Sequence, residues 1–441
     1  MNPILILGAG RSSVSLLTYL DKLASFEKFR FSVADADPQN LAIRTAGLHF
    51  ADSMKFEGNG PEDFLKIIQG HKIVISLLPP PIHPQVAKAC LMAKANLITA
   101  SYESDEMRLL EKEVKDSGLV FFNECGLDPG IDHMSAMEMI EEIQEAGGRI
   151  ERFHSYCGGL VADEFDDNPF RYKISWNPRN VVLAGKTGGL YLENGRESFL
   201  PYQRLFSETE TISIPGWGEF EAYPNRDSVP YQKVYGLQGI QDLKRGTLRK
   251  PGFSARWDVF VRSGMTDELV DLAYPEGSNY DDFLRTFFPS SDSKAAFRKF
   301  VGRENIASDV LEMFLDGSET RMLKRTKGKP ADFLLDLIVE CWPLGAKDKD
   351  LVVMLHDFYF FDKNGEKQRT FASFGVIGED SLHTAMAKTV GLPLGIVSKL
   401  LLKGAISQKG LALPLNSEVY KPVLEELSTL GVQFQKTTMP I

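Results

Sequence analysis

Ile4-Leu5-Ile6-Leu7-Gly8-Ala9-Gly10-Arg11-Ser12-Ser13 opens the chain with a short apolar run that turns on glycines into a helical pattern, Val14, Leu16, Leu17 and Leu20. A strand that enters a helix over glycines points unpaired backbone N–H groups and the helix dipole at one spot, and so makes an anion site. The last position of the usual G-x-G-x-x-G is Ser13, a small residue that still permits close helix–strand packing. A second strand, Phe31-Ser32-Val33-Ala34, ends in Asp35, about where an acidic side chain hydrogen-bonds an adenosine ribose. An acid there repels a ribose 2′-phosphate, so NAD(H) is favoured, with NADP(H) still open. The turn Asp35-Ala36-Asp37-Pro38 gives the same pattern without touching a ligand.

Outward from this unit the pattern repeats. Residues 72–78 form another apolar strand closed by Pro79-Pro80-Pro81, and a helix is expected from Pro84 to Ala95. Strand 96–100, the loop Ser101-Tyr102-Glu103-Ser104, a helix from Asp105 to Ser117 and strand 118–122 follow. Strands alternating with helices imply right-handed crossovers and a parallel sheet. Residues 1–127 therefore read as a Rossmann dinucleotide-binding domain. At the end of its last strand stands Asn123-Glu124-Cys125-Gly126-Leu127-Asp128-Pro129-Gly130-Ile131-Asp132-His133, where an open α/β sheet places its ligand. The bland alternative is an Asp-Pro-Gly turn with a helix cap.

Composition sets outer limits. A chain of 441 residues exceeds one compact core and implies two or three domains. The net charge of −10, with no basic stripe, argues against a nucleic-acid partner. The 4 cysteines, at 90, 125, 157 and 341, lack paired or metal-ligand spacing, so reduced thiols and no metal are expected. No basic signal-type segment or membrane-length apolar run is read, which makes a cytoplasmic location the expectation.

Beyond the nucleotide domain the character changes. Arg149 to Cys157 alternates like a half-buried strand, a helix is expected around Ser175 to Leu183, and strands follow at 190–193 and 211–215. Leu351 to Phe361 and Gln368 to Gly375 form a hairpin through Lys363-Asn364-Gly365. Between Gly252 and Trp342 the pattern is mostly helical, with candidates at Glu268–Leu272, Asp281–Phe288, Lys294–Phe300, Ser308–Leu315 and Ala331–Cys341. The fold expected is α/β: a Rossmann dinucleotide-binding domain (1–127 with 390–441), an α/β substrate domain with a largely antiparallel sheet (128–251 with 343–389), and a helical insertion (252–342).

Several motifs share one order with a known family: Asn123-Glu124-x-Gly126-Leu127-Asp128-Pro129-Gly130-Ile131-Asp132-His133, Ser155-Tyr156-Cys157-Gly158-Gly159-Leu160, Asp167-Asn168-Pro169, Tyr172-Lys173-x-Ser175-Trp176, Tyr223-Pro224-Asn225-Arg226-Asp227-Ser228, Arg245-Gly246-Thr247-Leu248-Arg249 and Thr389-Val390-Gly391-Leu392-Pro393. On these residues the chain resembles the saccharopine dehydrogenases of the glutamate-forming type, also called saccharopine reductases. It departs from that family at Cys125, at Arg171 and in the helical region after 252. The resemblance implies reversible NAD(P)-linked hydride transfer at the carbon–nitrogen bond joining glutamate and 2-aminoadipate 6-semialdehyde, in lysine metabolism. The implied partners are small molecules (saccharopine, glutamate and the semialdehyde), with no nucleic acid, no membrane and a homodimer left open.

The same resemblance assigns residues. Saccharopine carries three carboxylates, which guanidinium groups bind in bidentate fashion. Arg226 and Arg249 match the family positions, with Thr247 and Leu248 beside Arg249. Ser101, Tyr102 and Asp128 are implied substrate contacts, and Asp128, Tyr102 and Cys157 are the candidates for chemistry. Cys157 reads first as a small buried thiol. Cofactor contacts are expected from Gly8, Gly10, Arg11, Ser12, Asp35, Ser76, Leu77, Leu78, Pro79, Leu127 and Ser175. His83 and His133 read as residues that orient loops, and Asp132 and His133 as caps of the following helix. Two other classes stay open: a reductase of another amino-acid or polyamine imine, and a non-enzymatic nucleotide sensor.

Overall fold

The computed structural model describes residues 2–441 and divides into two compact units, residues 1–150 with 358–441 and residues 151–357. In the first unit the short apolar runs become largely buried strands, β1 (Ile4–Leu7), β2 (Phe31–Asp35), β4 (Ile73–Ser76), β5 (Asn96–Thr99) and β6 (Val120–Phe122), joined by a half-exposed strand, β3 (Ala51–Lys55). A seventh strand, Gly410–Ala412, is contributed by the C-terminal segment, and the order is 410–412, β6, β5, β4, β1, β2, β3. Every pair is parallel, with Leu7 opposite both Ala34 and Ser76. The order reverses at β1, so a crevice opens beyond the carboxyl ends of β1 and β4. Strand β3 and the helices Pro38–Thr45 and Pro61–Ile68 are absent from the sequence reading, and the helix expected over 105–117 is two helices, Asp105–Arg108 and Glu111–Asp116.

One face of this sheet is packed by Phe64, Ile68, Val86, Ala87, Met107 and Val114. Elsewhere in the same unit, helix Ala385–Leu402 crosses helix Val14–Glu27 at close range. A Cβ on Gly391 would stand 2.9 Å from the Leu16 backbone N, and one on Gly395 2.6 Å from the Tyr19 ring. Two glycines one turn apart thus bring the helix axes together. Helix Ala385–Leu402 is long and apolar enough to cross a membrane, with mean hydropathy 1.4, but most of it is buried inside the protein.

The second unit is built on a mixed, largely antiparallel sheet. Its strands are β7 (Arg149–Val161), whose first residues belong to the first unit, β8 (Gly189–Glu193), β9 (Arg196–Leu200), β10 (Glu210–Ile214), β11 (Gly218–Pro224), β12 (Arg226–Asp227) and β13 (Asp242–Arg249). The order β10, β11, β13, β7 continues into strand Asp350–Phe361, with β13 parallel to β7. The helices Phe253–Ser263, Tyr280–Phe287, Ser293–Val301, Glu304–Glu312 and Pro330–Cys341 share one core with Phe170, Tyr172, Val182, Phe206 and Tyr223. The helical stretch is therefore packed into this unit. The helix expected at Glu268–Leu272 does not form. The Asp267 carboxylate accepts the N–H of Leu269 at 2.8 Å and of Val270 at 2.9 Å, a local turn that competes with helix.

We expect Gly391→Val to lower the thermal midpoint by about 5 °C or more, since the added carbons meet backbone rather than a movable side chain. Calorimetry of the purified variant checks this, and an unchanged midpoint would contradict the close crossing.

Candidate active site

Each unit carries part of the candidate residues and is described by itself. On the first, Gly8 adopts φ 98°, and a Cβ there would press to 3.3 Å from the Leu77 carbonyl, so glycine is required where the turn passes the end of β4. Gly10 is open on all sides. Buried Ser13 caps the turn by donating its hydroxyl to the Gly10 carbonyl at 2.8 Å. The Leu77 N–H donates to the Leu7 carbonyl at 2.8 Å and sets Gly8 against the end of β4, where Ser76, Leu77, Leu78 and Pro79 follow one another, while Gly10, Arg11 and Ser12 continue the turn toward helix Val14–Glu27. Asp35 serves this same turn: one carboxylate oxygen accepts the Ala9 N–H at 2.6 Å and the other the Asp37 N–H at 2.8 Å.

Behind the loop lies an arginine that the sequence reading passed over. Arg44, in the last turn of helix Pro38–Thr45, has Nε and Nη1 buried without hydrogen-bond partners. Burial first, and the nearby charge of Arg11 second, hold its guanidinium below the ordinary value. A guanidinium whose buried N–H groups find no protein partner is suited to a phosphate.

The loops after β5 and β6 are interlocked. Ser101 accepts the Glu124 N–H on its carbonyl at 3.0 Å, and Tyr102 Oη lies 3.4 Å from Asp128 Oδ1. Gly130 has φ 149°, and a Cβ there would overlap the Gly126 carbonyl at 2.0 Å. That contact fixes where Leu127 and Asp128 sit. Gly130, and not Asp128, is the N-cap of helix Ile131–Glu145. Asp132 accepts the Gly130 N–H at 2.6 Å, whereas His133 Nε2 stands 2.7 Å from buried Glu124. Cys125 is fully buried, and burial followed by the Glu124 charge pushes its thiol well up, which makes it inert.

His83 ties this unit's two loops together. Its Nδ1 lies 3.1 Å from Ser76 Oγ, and its Nε2 2.9 Å from Ser101 Oγ and 3.1 Å from Thr99 Oγ1.

On the second unit, strands β7, β11 and β13 gather the remaining candidates. Thr247 pairs in register with Cys157 and with Tyr223. Leu248 is fully buried, and its Cβ leaves no room for a side chain on Gly158. Arg249 is the most telling. It is 3% exposed, its guanidinium carbon lies 4.9 Å from the Phe253 ring centre and 5.3 Å from that of Tyr172, and Nε donates to Tyr223 Oη at 3.1 Å. Among the described residues no carboxylate pairs with it. A buried guanidinium held only by rings and phenols is costly, and a ligand carboxylate compensates it. Arg226 is exposed in β12 with φ 58°. Ser175 is buried, and its hydroxyl lacks a partner. Arg171, a departure from the family pattern, bonds to Asp166 at 2.6 Å within its own loop.

A family model described as the saccharopine dehydrogenase NADP binding domain matches residues 4–122, and one described as the saccharopine dehydrogenase C-terminal domain matches residues 126–432. The chain is 35% identical over 443 residues to alpha-aminoadipic semialdehyde synthase, mitochondrial, of Rattus norvegicus, an alignment covering 98% of this chain and 47% of that protein. It thus spans about half the length of that relative. It is 32% identical over 389 residues to saccharopine dehydrogenase (NADP(+), L-glutamate-forming) of Saccharomyces cerevisiae, covering 85% of this chain and 86% of that one. The solved apo structure of histidine-tagged saccharopine dehydrogenase (L-Glu forming) from Saccharomyces cerevisiae superposes with TM-score 0.88 at 28% identity, covering 100% of both chains.

These findings overturn the preference for NAD. The matched domain is an NADP binding domain, and the yeast relative carries NADP(+) in its name. The argument from Asp35 fails because its carboxylate is engaged by the N–H groups of Ala9 and Asp37.

Burial pushes His83 down to about 4 from 6.5, so as pH falls the unfolded chain takes up the proton first. The stability this neutral ring contributes is fully present above about pH 6.5 and is lost between about 6.5 and 4. We expect His83→Phe to remove up to about 1.4 kcal/mol per pH unit from the slope of unfolding free energy in that window. Urea titrations at several pH values check it, and equal slopes for both proteins would contradict the assignment.

Proposed function

Because this chain belongs to the saccharopine dehydrogenase family, we propose that it catalyses the reversible NADP-linked interconversion of saccharopine with glutamate and 2-aminoadipate 6-semialdehyde. The observation that carries this reading is the carboxylate-free, aromatic-walled cage around buried Arg249, which suits one carboxylate of a multiply charged amino-acid substrate. NADP, when bound, supplies hydride exchange at its nicotinamide. The protein's part is to bind, orient and manage protons.

In this reading Arg249 and Arg226 hold substrate carboxylates, with Thr247 and Leu248 shaping the wall beside Arg249. Asp128 steadies a protonated amine or iminium, and its contact with Tyr102 Oη gives the proton of that amine a path through two oxygen atoms. Ser101 and Tyr102 bind substrate from the first unit. Cys157, in register with Thr247, lends a small, soft surface. The turn Gly8–Ser12 takes the pyrophosphate, Ser76 to Pro79 and Leu127 flank the dinucleotide, and the orphan hydroxyl of Ser175 completes its contacts. Arg11 and Arg44 take the 2′-phosphate. The enzyme acts on small molecules, in the cytoplasm, and a homodimer is the assembly to look for by light scattering.

Purified protein should oxidise NADPH only when glutamate and the semialdehyde are both present, and activity that ignores glutamate would remove the reading. Arg249→Ala should lower kcat/KM for saccharopine by about 100-fold with NADPH affinity held within about twofold. Arg44→Ala should weaken NADPH about tenfold in a fluorescence titration and leave NADH nearly unchanged; equal losses for both would move the 2′-phosphate elsewhere.

A further inference from the structure

We propose that His83 is a positioning residue that couples the cofactor-side hydroxyl of Ser76 to the substrate-side hydroxyl of Ser101, a role that rests on the functional reading above. Ser76 and Thr99 end adjacent parallel strands in register, and the buried imidazole stands over both strand ends. Nδ1 reaches Ser76 Oγ at 3.1 Å, while Nε2 reaches Ser101 Oγ at 2.9 Å and Thr99 Oγ1 at 3.1 Å. Thr99 Oγ1 also accepts the Ser101 N–H at 3.1 Å, which fixes the strand end that carries the substrate-side hydroxyl.

A neutral imidazole has one N–H and one lone pair. If Nδ1 carries the hydrogen, it donates to Ser76 Oγ, whose own hydrogen is then directed outward, and the single lone pair on Nε2 is left to the hydroxyls of Ser101 and Thr99, of which Ser101 is the closer. If Nε2 carries it, Ser76 must donate to Nδ1 and Ser101 is released to donate outward. With Ser101 the closer partner of Nε2, the ring therefore favours presenting one of the two sides as an outward donor at a time. A ligand that takes a hydrogen bond from Ser76 biases the tautomer and thereby what Ser101 offers, and the converse holds by linkage. Burial keeps the ring neutral, so the exchange operates without a charge being created.

A double-mutant cycle tests this. Ser76→Ala, Ser101→Ala and the double variant are compared for kcat/KM of saccharopine and for NADPH affinity, in the wild-type background and with His83→Phe. The expected result is non-additivity of about threefold or more in the wild-type background that disappears with His83→Phe and returns in part with His83→Asn. Additive effects in the wild-type background would overturn the proposal, and that arm decides even where His83→Phe folds poorly. The ring ¹⁵N shifts of His83, which report its tautomer, should change on adding NADPH alone, and an unchanged ring would also overturn it. This last measurement needs no amino-acid substrate, so it stands when wild-type protein fails to turn over saccharopine, the result that would instead sink the functional reading.

Discussion

The contact on which the loops after β5 and β6 depend is the buried pair Glu124–His133. Glu124 sits at φ 58° with one carboxylate oxygen accepting the Glu103 N–H at 3.1 Å and the other 2.7 Å from His133 Nε2. One side chain thus fastens the loop after β5, the loop after β6 and the first turn of the following helix. Left-handed backbone at a non-glycine residue costs energy, and it persists where the surroundings over-determine it. Here they do, because the Glu124 N–H is bound to the Ser101 carbonyl and the Cys125 N–H to that of Thr99. Ser101, Tyr102 and Asp128 inherit their places from that pair.

Around this fastening the first unit holds its shape through short-range hydrogen bonds between buried polar groups. His83 is neutral and saturated by hydroxyls, and Asp132 is bonded to the backbone N–H of Gly130. The second unit relies on a different device, a cation wrapped in rings. The Arg249 guanidinium is placed against Phe253, Tyr172 and Tyr223, and Tyr172 is braced in turn by the Trp176 indole at 3.0 Å. Rigid aromatic walls leave the guanidinium few alternative positions, so the cage is ordered in advance.

Legibility in the sequence followed packing. Strands buried on both faces, such as Ile4–Leu7 and Ile73–Ser76, announce themselves as unbroken apolar runs, and the crevice at their ends could be placed from them alone. Edge strand Ala51–Lys55 is half wet, reads Ala-Asp-Ser-Met-Lys and carries no such signal. The false helix at Glu268–Leu272 arose because apolar spacing is blind to a carboxylate that captures its own backbone. At the candidate site the motif residues were readable by resemblance, but Arg44 was not: its role depends on burial and on the proximity of Arg11, neither of which spacing encodes. The preference for NAD failed for a related reason, since an acid at a strand end is readable and the partner it has already found is not.

Helix Ala385–Leu402 packs on, and strand Gly410–Ala412 completes, a seven-stranded sheet whose other strands come from the first 150 residues. On the ribosome, roughly 200 residues of the second unit must be made between the two halves, a delay of about 10–40 s at ordinary elongation rates. Throughout that interval the apolar face of helix Val14–Glu27, including Leu16 and the surface that Gly391 will touch, waits without its cover, and β6 stands as an open edge. The nucleotide-binding half begins first and finishes last, so the nascent chain carries an unfinished sheet past the synthesis of an entire second unit, a stage at which chaperone protection would matter most.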